Sequence, residues 1–148
     1  MPEIIYLNIE RALDTYKKTI DISGGGAFGF IANGRGRLEG ILEFIKDDNY
    51  YPTFEEKLTH LFFSVCKFHI FKDGNKRMAI VLSAQMLLDN GYLYCAGRFI
   101  REMENISAHV ASGKIGKQLL RDIIMDFIEN NDDETVKLRI VNAIQDRV

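Results

Sequence analysis

The sequence predicts an all-α fold, and three observations carry that prediction. Apolar residues recur every three or four positions through most of the chain, and start and stop signals bracket those runs. One segment, Met78 to Leu88, is apolar almost all the way round, as the central helix of a bundle must be. With 148 residues, 47% hydrophobic and 27% charged, the chain describes one domain with enough apolar content for a core.

The elements follow in order. Ile9, Ala12, Leu13, Tyr16 and Ile20 share a helical face, and Asn8 supplies a cap, so a first helix is expected over 8–20. Seven of the twelve glycines lie between Gly24 and Gly40, a density that excludes regular helix and predicts a mobile loop or short hairpin over 23–37. A second helix is expected from about Leu38 to Lys46. A third begins at Thr53, where Pro52 precedes a Thr53-x-x-Glu56 capping box, and runs to about Phe68 on the stripe Phe54, Leu58, Leu61, Phe62, Val65. After the central helix, Asn90-Gly91 signals a left-handed stop. Tyr92-Leu93-Tyr94 is expected to be a short extended piece, with helices near 101–112, 116–130 and 134–146. The break Asn130-Asn131-Asp132-Asp133 divides a main domain, 1–130, from a terminal helix, 131–148, packed on it. The stripe Val136, Ile140, Ile144 is that helix's packing face, with a docking surface as the alternative.

A formal charge of −2 and a pI near 5.9 argue against a duplex-binding surface, which needs clustered Lys and Arg to displace counterions. No direct nucleic-acid binding is expected. Cys66 and Cys95 have no C-x-x-C and no second ligand pair for zinc, so both read as reduced, buried thiols. No run of uncharged apolar residues is long enough to span a bilayer, and Met1-Pro2-Glu3-Ile4 lacks the layout of a signal peptide. No membrane association and a cytoplasmic location are the expectations. Gly24-Gly25-Gly26-Ala27-Phe28-Gly29 matches G-x-G-x-x-G, but a helix precedes it and more loop follows, so it is not a dinucleotide fingerprint. A glycine flap covering a substrate is the better reading.

The most specific stretch is residues 69–77, His-Ile-Phe-Lys-Asp-Gly-Asn-Lys-Arg, just ahead of the central helix. Unpaired N–H groups and the positive dipole end make a helix start a natural anion cradle, here built from Gly74, Asn75 and Lys76. His69 is an imidazole, a base near neutral pH. Asp73 suits Mg²⁺, which prefers a carboxylate together with phosphate oxygens. Gly74 permits close approach of the backbone, Asn75 caps the helix and donates to phosphate, and Lys76 and Arg77 add positive charge. Phe71 is expected to point inward as an anchor. Transfer from a nucleotide to a hydroxyl needs a base, a cation and fixed donors, and the stretch supplies each. His60 and His109 lack such company and read as structural helix residues. Asp-Gly-Asn by itself would indicate only a turn.

The stretch resembles the signature of the Fic/Doc superfamily, His-x-Phe-x-Asp/Glu-Gly/Ala-Asn-x-Arg, at every fixed position. Lys76 and the following Met78-Ala79 resemble the death-on-curing (Doc) branch, which has Asn-Lys-Arg where typical Fic enzymes have Asn-Gly-Arg. Ile80 stands where those enzymes carry a second arginine for the γ-phosphate. Gly24-Gly25, 37–42 and 111–115 also resemble Doc segments, so the similarity spans roughly residues 4–128.

The resemblance implies a helical bundle with the motif loop between two central helices, ATP and Mg²⁺ as cofactors, and a toxin of a toxin–antitoxin pair. His69 would be the base, Asp73 the metal ligand, Gly74, Asn75 and Lys76 the anion hole, and Arg77 a catalytic phosphate binder. Doc-type toxins move the γ-phosphate of ATP to a hydroxyl of a target protein, elongation factor Tu in the known case, whereas Fic enzymes move AMP. The remaining alternative is a noncatalytic interaction module. Partners implied are a protein presenting a Ser, Thr or Tyr hydroxyl and an antitoxin protein. The inhibitory Ser/Thr-x-x-x-Glu-Gly/Asn helix of many Fic proteins has no full copy here. Glu39-Gly40 comes nearest, with Arg35 in the Ser/Thr position, and Glu39 reads as a structural helix residue.

Overall fold

A computed structural model describes residues 3–145 apart from 24–27. Within them lie seven helices: α1 (Ile9–Ser23), α2 (Gly34–Phe44), α3 (Phe54–Lys67), α4 (Asn75–Asp89), α5 (Leu93–Ala111), α6 (Lys117–Glu129) and α7 (Glu134–Ile144). The fold is all-α, as the periodicity predicts. Two of the caps read from the sequence form as expected: Asn8 Oδ1 accepts from Arg11 N at 2.8 Å, and Thr53 Oγ1 from Glu56 N at 3.2 Å. Gly91, at φ 88°, closes α4 in a Schellman motif, with Tyr92 N bonded to Leu87 O at 2.9 Å and Gly91 N to Leu88 O at 3.2 Å.

α4 runs through the middle of the bundle, against α1, α3 and α5. Met78, Ala79, Leu82, Ser83, Met86 and Leu87 bury on several sides of it, which explains why its sequence shows no polar face. α6 packs on α3 and α5, and α7 lies on α6. Val136 is buried and Ile140 and Ile144 pack against the core, so the stripe of α7 is a packing face. Lys57 is a fully buried cation that ties the α2–α3 connection to α3, donating to Ile45 O at 2.8 Å and to Asp48 Oδ1 at 2.7 Å.

Three helix starts differ from the sequence expectation by more than one residue. α2 begins at Gly34 rather than Leu38, because Gly34 is there for contact: a Cβ at this position would lie 2.1 Å from Ile70 O. α4 begins at Asn75, inside the motif, because Gly74 takes the left-handed φ of 83° at the N-cap and lets the helix start at once. α5 begins at Leu93, where an extended piece is expected, and absorbs Gly97. Its buried stripe Cys95, Phe99, Met103, Ile106, Val110 already runs at helical spacing from the first turn, and tertiary burial outweighs the local cost of a glycine. α7 ends at Ile144, two residues short of the expected Asp146, because Gln145 takes an extended backbone at φ −64° and ψ 133°.

Of the glycine-rich segment, Gly24–Ala27 likewise lie outside the described residues. Among the described residues of its far end no hairpin pairing is present. Phe30 instead forms an isolated antiparallel bridge with Phe71, through Lys72 N to Gly29 O at 2.9 Å and Ile31 N to Ile70 O at 3.0 Å. The Tyr16 hydroxyl pins the same place, accepting from Gly29 N at 2.8 Å and donating to Gly29 O at 3.2 Å. Its ring packs on Phe28, Phe30 and Phe71.

Candidate active site

The motif loop enters from α3 and leaves as the first turn of α4. Phe71 anchors it, 1% exposed and packed on Tyr16 and Phe30, with centroids 4.3 and 5.2 Å away. Asn75 then fixes the loop's shape. Its Oδ1 accepts from Ile70 N at 3.1 Å and Phe71 N at 2.9 Å, and its Nδ2 donates to Phe71 O at 2.9 Å. The side-chain amide is thus occupied by the loop's own backbone, and what Asn75 offers an anion is its backbone N–H at the helix start. The cap position itself belongs to Gly74. Arg37 of α2 donates to His69 O at 3.2 Å, holding the loop from the other side.

His69, Asp73, Gly74, Asn75, Lys76 and Arg77 all line one cleft of about 620 Å³. The structure therefore brings the sequence-derived site residues together. Asp73 Oδ1 accepts from Gly74 N at 2.8 Å, which turns the carboxylate toward the helix start and leaves Oδ2 outside that bond. Among the described residues no cluster of three His, Cys, Asp or Glu side chains stands ready for a metal. A single carboxylate beside a phosphate cradle fits Mg²⁺, which usually takes one or two carboxylates and completes its shell with phosphate oxygens and water.

The cleft has members that the motif does not announce. Lys72 adds a third cation on the loop, Cys66 closes the floor, and α5 supplies the opposite wall with Ile100, Glu104, Ser107 and Ala111. Burial pushes the Cys66 thiol up to about 12, against the pull of Lys76, so it is a neutral thiol. Ile80 borders the cleft beside the cations. The signal that finds the far wall is the spacing of 100, 104, 107 and 111 on one helix face, legible once α5 is known to begin at Leu93.

His60 is placed elsewhere, among Phe44, Tyr51 and Lys117. Its Nδ1 lies 2.8 Å from the Lys117 ammonium and 3.2 Å from the Tyr51 hydroxyl, so it accepts, and Nε2, 3.4 Å from Ser64 Oγ, carries the proton. Burial first, and then Lys117, lower its pKa to about 4. This is a neutral structural imidazole. His109, half-buried in the last turn of α5, does not line the cleft. Glu39 is taken up by Arg35, Nε to Oε1 at 3.1 Å. A second groove of about 380 Å³, between Arg37, Phe44, His60 and Phe68, lacks the loop's convergent donors.

The family model for the Fic/DOC family matches residues 6–87, more than half of the chain. The chain belongs to the Fic/DOC family. The match runs from just ahead of α1 through most of α4, and so covers the Fic/DOC loop and both helices that hold it. Membership suggests a Fic-type nucleotide-transferring function, and Fic domains in general use a nucleotide and typically Mg²⁺. Neither the curated proteins nor the solved structures gave a match. No helix among the described residues is long and apolar enough to cross a membrane.

Proposed function

We propose that this Fic/DOC protein is a Doc-like toxin that transfers the γ-phosphate of ATP to a hydroxyl of a target protein. The observation that carries the reading is the makeup of the cradle: Lys76 and Arg77 border the cleft in the first turn of α4, and the position one turn on is the apolar Ile80. A cation beside Gly74 favours a transferring phosphate at the loop, and no second arginine is present at position 80 to hold the triphosphate tail in the AMP-transferring direction.

The chain's residues divide the work as follows. Backbone N–H groups of the α4 first turn, with Lys76 and Arg77, bind the phosphates and offset the charge that builds on them. His69 takes the proton of the target hydroxyl as its oxygen bonds to the γ-phosphorus. The bond from that phosphorus to the β,γ-bridging oxygen breaks, and ADP leaves. Asp73 would hold Mg²⁺, which would supply positive charge to offset the negative charge of the phosphates. The flap end at Gly29 to Ile31 is bridged to the loop backbone at Ile70 and Lys72. The target is a translation factor such as elongation factor Tu, and restraint comes from a separate antitoxin protein in the cytoplasm.

The test is label transfer in a cell extract with Mg²⁺. Label from γ-labelled ATP, absent with α-labelled ATP and absent for His69→Ala, supports the proposal. Label from α-labelled ATP would establish adenylylation instead, and transfer that survives His69→Ala would sink the assignment of the base.

A further inference from the structure

The far wall of the cleft is one face of α5, formed by Ile100, Glu104, Ser107 and Ala111. α4 and α5 are joined only by Asn90–Tyr92 and pack together as an antiparallel pair. Moving away from the loop along α4 therefore means moving toward the N-terminus of α5. The cleft consequently changes character along its length. Lys72, Lys76 and Arg77 make its loop end cationic, Glu104 stands on the wall beyond, and Ile80, Val81 and Ile100 make the distal end apolar.

A nucleoside phosphate has the same order: an anion, then a hydroxyl-bearing sugar, then a flat base with apolar faces. We propose that Glu104 reads the ribose, its carboxylate accepting hydrogen bonds from the vicinal hydroxyls of a ribonucleotide whose phosphates rest on Gly74 to Arg77. The base then lies against Val81 and Ile100. This assignment rests on the nucleotide reading given above. An ionised carboxylate only accepts hydrogen bonds, so it suits hydroxyl donors and repels phosphate, which fixes the direction in which the nucleotide lies. Glu104 is exposed to the cleft, and among the described residues its carboxylate has no salt-bridge or hydrogen-bond partner. Ser107, the other polar group on the wall, is committed to the helix, donating to Glu104 O at 2.9 Å.

The experiment is calorimetric titration of the full chain and of Glu104→Gln and Glu104→Ala with ATP, 2′-deoxyATP and the inosine triphosphate, all with Mg²⁺. The native chain is expected to bind ATP about tenfold more tightly than 2′-deoxyATP, the worth of one charge-assisted hydrogen bond. Both variants are expected to shrink that ratio to about twofold or less. The ratio is read rather than the affinity, because removing a negative charge also strengthens phosphate binding in general. An unchanged ratio in folded variants overturns the ribose contact and leaves the nucleotide reading standing. Loss of discrimination against the inosine nucleotide, with the deoxy ratio kept, overturns it in favour of a base contact. A native chain that binds none of the three nucleotides overturns the nucleotide reading and this inference with it.

Discussion

Asn75 illustrates how much a single side chain decides at this site. Its amide satisfies two backbone donors and one acceptor of the loop at once, so the motif asparagine shapes the cradle rather than filling it. Asn75→Ala strands three partly buried backbone groups, and a loss of about 2–3 kcal/mol in chemical unfolding is expected, with transfer activity abolished. If stability held and only activity fell, the side chain would be acting on the ligand instead. Gly34 is the second such position. A methyl there would meet Ile70 O at 2.1 Å, so Gly34→Ala must push α2 off the motif loop. A cost of about 1–3 kcal/mol is expected from overpacking, together with weaker nucleotide binding, because Ile70 is part of the loop. The sequence shows Gly34 plainly, but only as one more glycine in a glycine-rich run. Its purpose depends on a carbonyl 36 positions away.

Between elements, the aromatic clasp of α1 on the flap end carries a clear expectation. Tyr16→Phe keeps the ring stack with Phe28 and Phe71 and removes only the two bonds to Gly29. A cost of about 1 kcal/mol is expected, a melting shift of about 2–4 °C for a chain of this size. Faster hydrogen exchange at Gly29 to Ile31 should accompany it, and unchanged exchange there would mean that the ring stack alone holds the flap. The α3–α6 contact through His60 and Lys117 should make stability depend on pH. The His60 pKa is about 4 in the folded chain, below the 6.5 of a free imidazole, so the unfolded chain binds the proton first. Stability is therefore full above pH 6.5 and declines as pH falls toward 4. Since His60 is only half-buried, solvent screening trims the effect to roughly 1–2 kcal/mol. Urea midpoints between those limits should fall for the native chain and stay flatter for His60→Gln.

For the molecule as a whole, the bundle divides labour between its helices. α3, α4 and α5 make the cleft, α1 and α2 brace the loop, and α7 contributes no residue to the cleft lining. Removing residues 134–148 exposes the α6 surface under Val136 and breaks the Arg139 to Asp122 pair at 2.6 Å. A loss of about 2–4 kcal/mol is expected, from roughly one buried aliphatic side chain and the partial burial of Ile140 and Ile144. Nucleotide affinity should remain as in the full chain. If affinity fell with the fold intact, α7 would have to support the cleft wall through α6 and α5.

The sequence by itself determined the helical class, the central α4, the caps at Asn8, Thr53 and Gly91, and the loop that carries the chemistry. Each of these rests on contacts between residues a few positions apart, so local spacing records it. The start of α5, the reason for Gly34, the docking of Phe30 on Phe71 and the α5 wall with Glu104 were decided only by tertiary structure. Each joins residues far apart in the chain or depends on burial overriding a local preference, as at Gly97, and no local pattern encodes which distant surface will arrive.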